Sequence, residues 1–290
     1  MISSEQNPFE IAKDNKRPLI LDGAMGSLLQ QKGFKSNTSA WMTHINNESP
    51  ETITLIHKDY IEAGADIITT NTFRTNPFAL GETSLSKKEV KRAISLAKSA
   101  IGINDILLAG SNAPAEDCYQ KERKISYKKL KENHLYHIDF LMDNGVDFIL
   151  NETQSHIDEI EITSNHCSKN SIPFVVSLYI QDNMKILSGE SVQDVVNFIW
   201  EHKPLAIGIN CITPATFSKV MKLLNPTLNF GFYLNCLKGS PESATLECDI
   251  SPVEYGEMIK NYLQFNPSFI GACCGSSPEH IHKIKEVIDG

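Results

Sequence analysis

No stretch of this 290-residue chain approaches 18 consecutive apolar residues, so a membrane-spanning helix is excluded. Met1–Arg17 is polar and lacks the apolar region of a signal peptide, so no secretory leader is expected. Nor is there a block of like charges long enough to act as an interaction tail. With 27 Lys+Arg against 35 Asp+Glu the formal charge is −8, which argues against a nucleic-acid partner. The basic cluster near Lys121–Lys131 reads as the lead-in and solvated face of a helix. A disulfide framework is missing too: seven cysteines are an odd number, unevenly spaced in a long chain. Such thiols are free, metal-bound or reactive. The expectation is a soluble cytoplasmic protein that needs neither membrane nor nucleic acid.

What is present is an alternation of short apolar runs with longer amphipathic ones. The short runs are Leu19–Leu21, Asp66–Thr70, Ile106–Ala109, Phe148–Leu150, Phe174–Leu178, Ala206–Ile209, Phe230–Leu234 and Phe269–Ala272. They are too short for helices and rich in Ile, Val, Leu and Phe, as strands buried on both faces are. Helical patterns are predicted over Thr52–Ala63, Glu89–Ile101, Ser126–Asn144, Ile157–Lys169, Val192–His202, Pro214–Leu224, Val253–Gln264 and Pro278–Ile288. Ser251-Pro252 and Ser277-Pro278 each put a Pro at the first helical position after a Ser cap. One αβ loop is built twice, as Glu62-Ala63-Gly64-Ala65-Asp66 and Asp143-Asn144-Gly145-Val146-Asp147. Eight such units predict an α/β protein, a single (β/α)8 TIM-type barrel over residues 18–290. Residues 1–17 are read as an N-terminal extension, either over the barrel's bottom or as a partly ordered arm.

In such a barrel the working residues sit just past the strands, at one mouth. Those positions hold Asp22-Gly23, Asn71-Thr72-Phe73, Gly110-Ser111-Asn112, Asn151-Glu152-Thr153, Asn210-Cys211, Asn235-Cys236 and Cys273-Cys274-Gly275. Cys273 and Cys274 follow the eighth strand and Cys211 the sixth, so all three face one opening. Three thiolates there would make an all-thiolate site with one tetrahedral position open, the pattern of catalytic zinc. Adjacent residues of a regular strand point to opposite faces, so both thiols reach one ion only if the chain leaves strand geometry, which Gly271 and Gly275 would permit. Buried cysteine is also common as inert packing, and position alone leaves both readings open. Asp22-Gly23 is a common turn dipeptide, and Glu152 could equally support a helix start. Asn71, Thr72, Asn210 and Asn235 are read mainly as bonded to loop backbone, and the nine histidines as packing or solvent-facing. Trp41 and Met42 fit either a pocket wall or the core.

Five segments together resemble the homocysteine S-methyltransferase family: Asp22-Gly23-Ala24-Met25-Gly26-Ser27, Thr70-Asn71-Thr72-Phe73, Asn151-Glu152-Thr153, Gly208-Ile209-Asn210-Cys211 and Gly271-Ala272-Cys273-Cys274-Gly275. The resemblance runs from about Pro18 to Gly290, and its last two motifs are the specific ones. It implies that Cys211, Cys273 and Cys274 hold Zn2+, and that homocysteine fills the open position as a thiolate that attacks a methyl group to give methionine. It also implies that Asp22 and Glu152 face the substrate's amino group and that Gly23 and Ala24 offer backbone N–H groups to its carboxylate. Asn210 would steady the site beside a ligand.

Departures from the family pattern gather on the side of the methyl donor: Arg74, Asn112-Ala113-Pro114, Leu237 after Asn235-Cys236, and Ala272. A chain ending at Gly290 holds no cobalamin- or folate-binding domain, so a small sulfonium such as S-methylmethionine is the expected donor. Betaine, or a separate methylcorrinoid partner to a homocysteine-activating module, is the alternative. A barrel lyase or aldolase is a further one, although Gly271–Ser277 contains no Lys or Arg for a phosphate.

Overall fold

Runs of β-branched and aromatic residues between glycine-capped helices leave the chain few ways to bury its apolar surface other than a parallel sheet covered by helices. The computed structural model describes residues 7–36, 40–225, 227–236 and 248–290. Residues 1–6 of the N-terminal extension and Leu237 lie outside that set. Eight strands form one parallel sheet: β1 (Leu19–Ile20), β2 (Ile67–Thr69), β3 (Leu107–Asn112), β4 (Phe148–Gln154), β5 (Phe174–Leu178), β6 (Ala206–Asn210), β7 (Phe230–Leu234) and β8 (Phe269–Ala272). Neighbours in sequence pair in space, β8 returns to β1, and a parallel bridge from Leu21 to Ile67 joins β1 to β2. The sheet is therefore closed into a (β/α)8 TIM barrel, as the alternation predicts.

Among the described residues twelve α-helices accompany it: α1 (Pro8–Asp14), α2 (Met25–Gln31), α3 (Ile45–Glu48), α4 (Pro50–Glu62), α5 (Pro77–Leu80), α6 (Thr83–Ile101), α7 (Tyr127–Asp143), α8 (Ile157–Lys169), α9 (Val192–Glu201), α10 (Pro214–Val220), α11 (Pro252–Tyr262) and α12 (Pro278–Asp289). The last two begin as the Ser-Pro pairs predict, with Pro in the first turn and a capping box on Ser251 and on Ser277. The duplicated αβ loop does more than turn the chain. Gly64 and Gly145 take φ of 106° and 77°, and the Asp two residues on reaches back to the preceding strand. Asp66 accepts from the Ile20 N–H at 2.9 Å and Asp147 from the Leu108 N–H at 2.8 Å.

Three features differ from the sequence reading. Helices α1, α2, α3 and α5 are too short for a periodic signal. Strands β3 and β4 run further than their apolar cores, because pairing continues through Ser111↔Leu150 and Asn112↔Asn151. Their polar ends thus belong to the strands. Gly271 stays in regular strand geometry; its missing Cβ serves a close approach to β1 instead.

Helix α1 closes the barrel's lower end. Phe9 packs edge-on against Phe148 and Phe269, the first residues of β4 and β8, each at 5.5 Å between ring centroids. Asn7 donates to the Leu205 carbonyl at 2.9 Å, and Lys13 to the carbonyls of Thr227 and Leu228 at 2.7 and 2.8 Å. Replacing Phe9 by Ala is expected to lower the unfolding free energy by about 3–5 kcal/mol, the usual result of emptying a buried aromatic site. Urea unfolding of the two proteins measures it, and a loss below about 1 kcal/mol would show that α1 is not part of the packed barrel.

Candidate active site

The ends of every strand but β5 line one opening, where a cavity of about 780 Å³ reaches from the β1 and β8 ends across to the segments after β2 and β3. Asp22, Gly23, Ala24, Glu152, Cys211, Cys273 and Cys274 all line it. So do Ser111, Thr153, Tyr233 and Trp41. Trp41 is thereby a wall residue, whereas Met42 is buried in the core.

The sulfurs form one cluster. Cys211 and Cys273 meet as a bonded pair with Cα atoms 5.8 Å apart, and the Cys274 Sγ lies 3.9 Å from the Cys211 Sγ. All three sulfurs fall within 4.8 Å of one another. Among the described residues this is the one group of three or more His, Cys, Asp or Glu able to hold an ion. Ligands on a tetrahedral zinc with bonds of about 2.3 Å sit roughly 3.8 Å apart, so the donor set and the Cys211–Cys274 spacing fit a soft thiophilic ion, and the Cys211–Cys273 pair joins them once reduced. Burial, with the Glu152 charge adding to it, pushes the Cys274 thiol up to about 11. A cation in the cluster is what would hold these groups as thiolates near neutral pH. Cys118 lines the same cavity, but burial raises its thiol to about 12; Cys236 and Cys167 are raised further still by the same cause. These three are packing thiols. Cys248 stands apart, with its Sγ 3.0 Å from the Ile250 carbonyl.

Two local distortions aim the cluster. Gly275 adopts φ of 86° directly after Cys274, as expected of a chain leaving β8. Cys211 itself takes φ of 54°, so the departure from strand geometry after β6 falls on the proposed ligand rather than on a glycine. Asn235 supports it by donating to the Cys211 carbonyl at 3.0 Å. Helix α2 holds the other side: Ser27 accepts from the Gly275 N–H at 3.0 Å, and Gln31 donates to the Gly275 carbonyl at 3.3 Å.

The two acids are presented differently. Asp22 accepts from the Thr69 N–H at 2.8 Å, while the Glu152 carboxylate takes the Ser111 hydroxyl. Burial, reinforced by Glu152, raises Asp22 to about 8, and burial raises Glu152 to about 7. Both therefore hold protons to unusually high pH in the ligand-free protein and gain from a cation placed between them. The Tyr233 hydroxyl faces Glu152 and Ser177 without a hydrogen bond of ordinary geometry.

Thr153, just after Glu152, has φ of 55°, a costly conformation for a β-branched residue. Asn210 holds it there. Its Oδ1 accepts from the Thr153 N–H at 3.1 Å and from the Ser177 hydroxyl at 2.8 Å, and its amide donates to Thr153 Oγ1 at 2.9 Å. Asn210 is fully buried and off the cavity wall, so it acts on the site through Thr153 and Glu152. Of the two backbone donors read from the sequence, the Ala24 N–H is engaged by Ser276 at 3.0 Å, while Gly23 has no recorded partner among the described residues. Gly23 must lack a side chain, because a Cβ there would stand 2.7 Å from the Tyr60 hydroxyl. Ser27 and Thr153 stand inside the quoted motifs without an assigned role, and Tyr60 and Ser276 outside them, since a contribution of support leaves no spacing signal.

Asn71 and Thr72 behave as loop ties. Asn71 bonds Asn46 and the Met42 carbonyl, and Thr72 donates to the Ser111 carbonyl. His134 and His137 are buried within a polar network, and His280 completes the cap of α12. None of the three meets the sulfur cluster.

The profile described as Homocysteine S-methyltransferase matches residues 19–288. A homocysteine S-methyltransferase of Bacillus subtilis strain 168, YbgG, is 25% identical over 96% of this chain and 96% of its own length. That of Escherichia coli strain K12 is also 25% identical, over 97% of this chain and 99% of its own. The crystal structure of the homocysteine methyltransferase MmuM from Escherichia coli in its metallated form superposes with a TM-score of 0.80 at 25% identity, covering 96% and 99% of the two chains. With a match spanning the barrel from its first strand to its last helix, the chain belongs to the homocysteine S-methyltransferase family.

Proposed function

We propose that this protein methylates homocysteine to methionine at a zinc ion held by Cys211, Cys273 and Cys274, with a small onium compound, a sulfonium such as S-methylmethionine in the first place, as methyl donor. The observation that carries this reading is the convergence of the three sulfurs with Asp22 and Glu152 on one cavity. When bound, zinc would supply a soft cationic docking point for a substrate sulfur and lower its proton affinity, which matters because a free thiol of pKa about 8.5 is mostly protonated at neutral pH.

The protein's own groups do the remainder. Asp22 and Glu152 receive the amino acid's ammonium group, and the free Gly23 N–H faces its carboxylate. Thr69 and Ser111 fix the two acids, so the thiol of a bound amino acid is delivered to the cysteine cluster with little freedom left to lose. The reaction forms a sulfur–methyl bond while the donor's own methyl–sulfonium bond breaks. The electron pair leaves with a neutral thioether, and the thiol proton goes to solvent. No acid or base need act on the leaving group, which suits a cavity whose free acids are committed to binding.

The direct test is methionine formation by reduced, zinc-loaded protein from homocysteine and one donor at a time: S-methylmethionine, S-adenosylmethionine, betaine, dimethylsulfoniopropionate and methylcobalamin. Methionine from one of the sulfonium donors is expected. Activity with betaine or methylcobalamin alone would overturn the sulfonium reading, and silence with every donor would overturn the reaction. Cys273→Ser should reduce bound zinc, measured by elemental analysis, from about one per chain to a small fraction and abolish turnover with the fold retained. Cys248→Ser should leave both unchanged.

The raised acids predict a pH effect in an unusually high window for carboxylates. An ammonium ligand favours their charged forms, so its binding releases protons, and affinity rises from about pH 6 to about 8 by up to roughly tenfold per unit for each group. Calorimetric titration with 2-aminobutyrate, which has no thiol, in buffers of different ionisation enthalpy measures this. Affinity independent of pH over that range would remove Asp22 and Glu152 as the ammonium site.

A further inference from the structure

The part of the cavity lined by the segments after β2 and β3 carries a positive charge that the transfer reaction does not use. Arg74 follows β2 and lines the cavity beside Phe73, Glu116, Asp117 and Tyr119. Its guanidinium lies over the Phe73 ring, 5.5 Å from the centroid. Nη1 donates to the carbonyls of Pro114 at 3.2 Å and Glu116 at 2.5 Å, which pins the group by uncharged acceptors. The Nε–H and both Nη2 hydrogens have no recorded acceptor among the described residues. Nor does any described carboxylate lie within 4.0 Å of the group. The two carboxylates that line the cavity beside it are turned to other work: Glu116 accepts from the N–H groups of Lys124 and Ile125, and Asp117 from that of Tyr119.

An oriented arginine with three unused donors is a fork for a planar anion. Its position is informative because it faces a cavity expected to admit a cationic methyl donor. A bare onium ion would be repelled by Arg74, whereas an onium bearing its own carboxylate would place that group on the guanidinium and its charged centre toward the acids and sulfurs. Tyr119 lines the same part of the cavity and adds an aromatic ring suited to a cationic centre.

We propose that Arg74 is the donor's carboxylate anchor and that the physiological donor is a zwitterion, a sulfonio- or ammonio-carboxylate, in preference to a simple onium ion. This rests on the methyl-transfer reading above for the word donor, and its test is made by binding alone.

Calorimetric titration of zinc-loaded protein without homocysteine, using dimethylsulfoniopropionate against trimethylsulfonium, reads the preference directly. The wild type is expected to bind the carboxylated probe about 10- to 100-fold more tightly, Arg74→Gln to lose most of that ratio, and Arg74→Lys to recover part of it. Equal binding of the two probes by the wild type, or a ratio that survives in Arg74→Gln, would overturn the proposal. A loss confined to 2-aminobutyrate binding would also overturn it, by assigning Arg74 to the methyl acceptor. A well-folded Arg74→Lys with its thermal midpoint unchanged keeps the comparison valid should Arg74→Gln unfold. An anchor confirmed by binding in a protein that makes no methionine would refute the reaction and leave the anion subsite standing.

Discussion

The site depends on the seam where the last strand meets the first. Leu19 and Leu21 donate to the carbonyls of Ser268 and Ile270 at 3.0 and 2.8 Å, which lays β8 against β1. At Gly271 the two backbones come so close that a Cβ would stand 2.9 Å from Leu21 Cβ and 3.1 Å from its carbonyl oxygen. Asp22 and Cys273 lie immediately beyond this contact, so residues some 250 positions apart share one wall because the barrel closes there without a side chain between them. Helix α2 then locks the seam from above through Ser27 and Gln31, and Tyr60 donates to the Ala24 carbonyl at 3.0 Å.

Closure gathers groups that repel one another when ionised. Burial raises Asp22, Glu152 and the Cys274 thiol together, because charge without a partner is costly at low dielectric. Folded pKa values near 8 and 7 lie above those of an unfolded Asp and Glu, so between about pH 4 and 8 the ligand-free fold binds more protons than the unfolded chain. The stability these acids contribute is present at low pH and is lost as pH rises through that window. Cations reverse the penalty. An ammonium group between the acids and a metal ion among the sulfurs, as proposed, would convert unfavourable burial into charge pairing.

Much of this was legible in the sequence because the signals were of two strong kinds. Buried parallel strands announce themselves as short apolar runs, and β5, β7 and β8 begin and end where those runs do. A vicinal cysteine pair and a third thiol at another strand end announce a cluster, which the fold then assembles. What was hidden lies in conformations that leave no compositional trace. Cys211 and Thr153 enter left-handed backbone without being glycine, under restraint from Asn235 and Asn210. The polar ends of β3 and β4 look like loop, yet remain strand because ladder pairing, not hydrophobicity, decides their geometry. Helix α2 is seven residues long, too short for periodicity, and its service to the Cys274–Gly275 turn is visible only in three dimensions.

The opposite wall hangs on a separate support. Asn112 bonds Asn151 and His137 at 2.7 and 2.8 Å, and His137 reaches Thr75 at 2.8 Å. His134 meets Glu159 at 2.9 Å, and Glu159 also accepts from the Ala115 N–H at 2.8 Å. Burial, with His134 adding, drives the His137 pKa down to about 3, so this imidazole is neutral and serves as a hydrogen-bonding strut. Through these ties the segments after β2, β3 and β4 are bound to one another and not to the β1–β8 seam. They carry Arg74 and its carbonyl partners Pro114 and Glu116. Barrel closure thus fixes Asp22 and the sulfurs by one set of contacts, while the Arg74 segment rests on another, so a change in either support need not disturb the other.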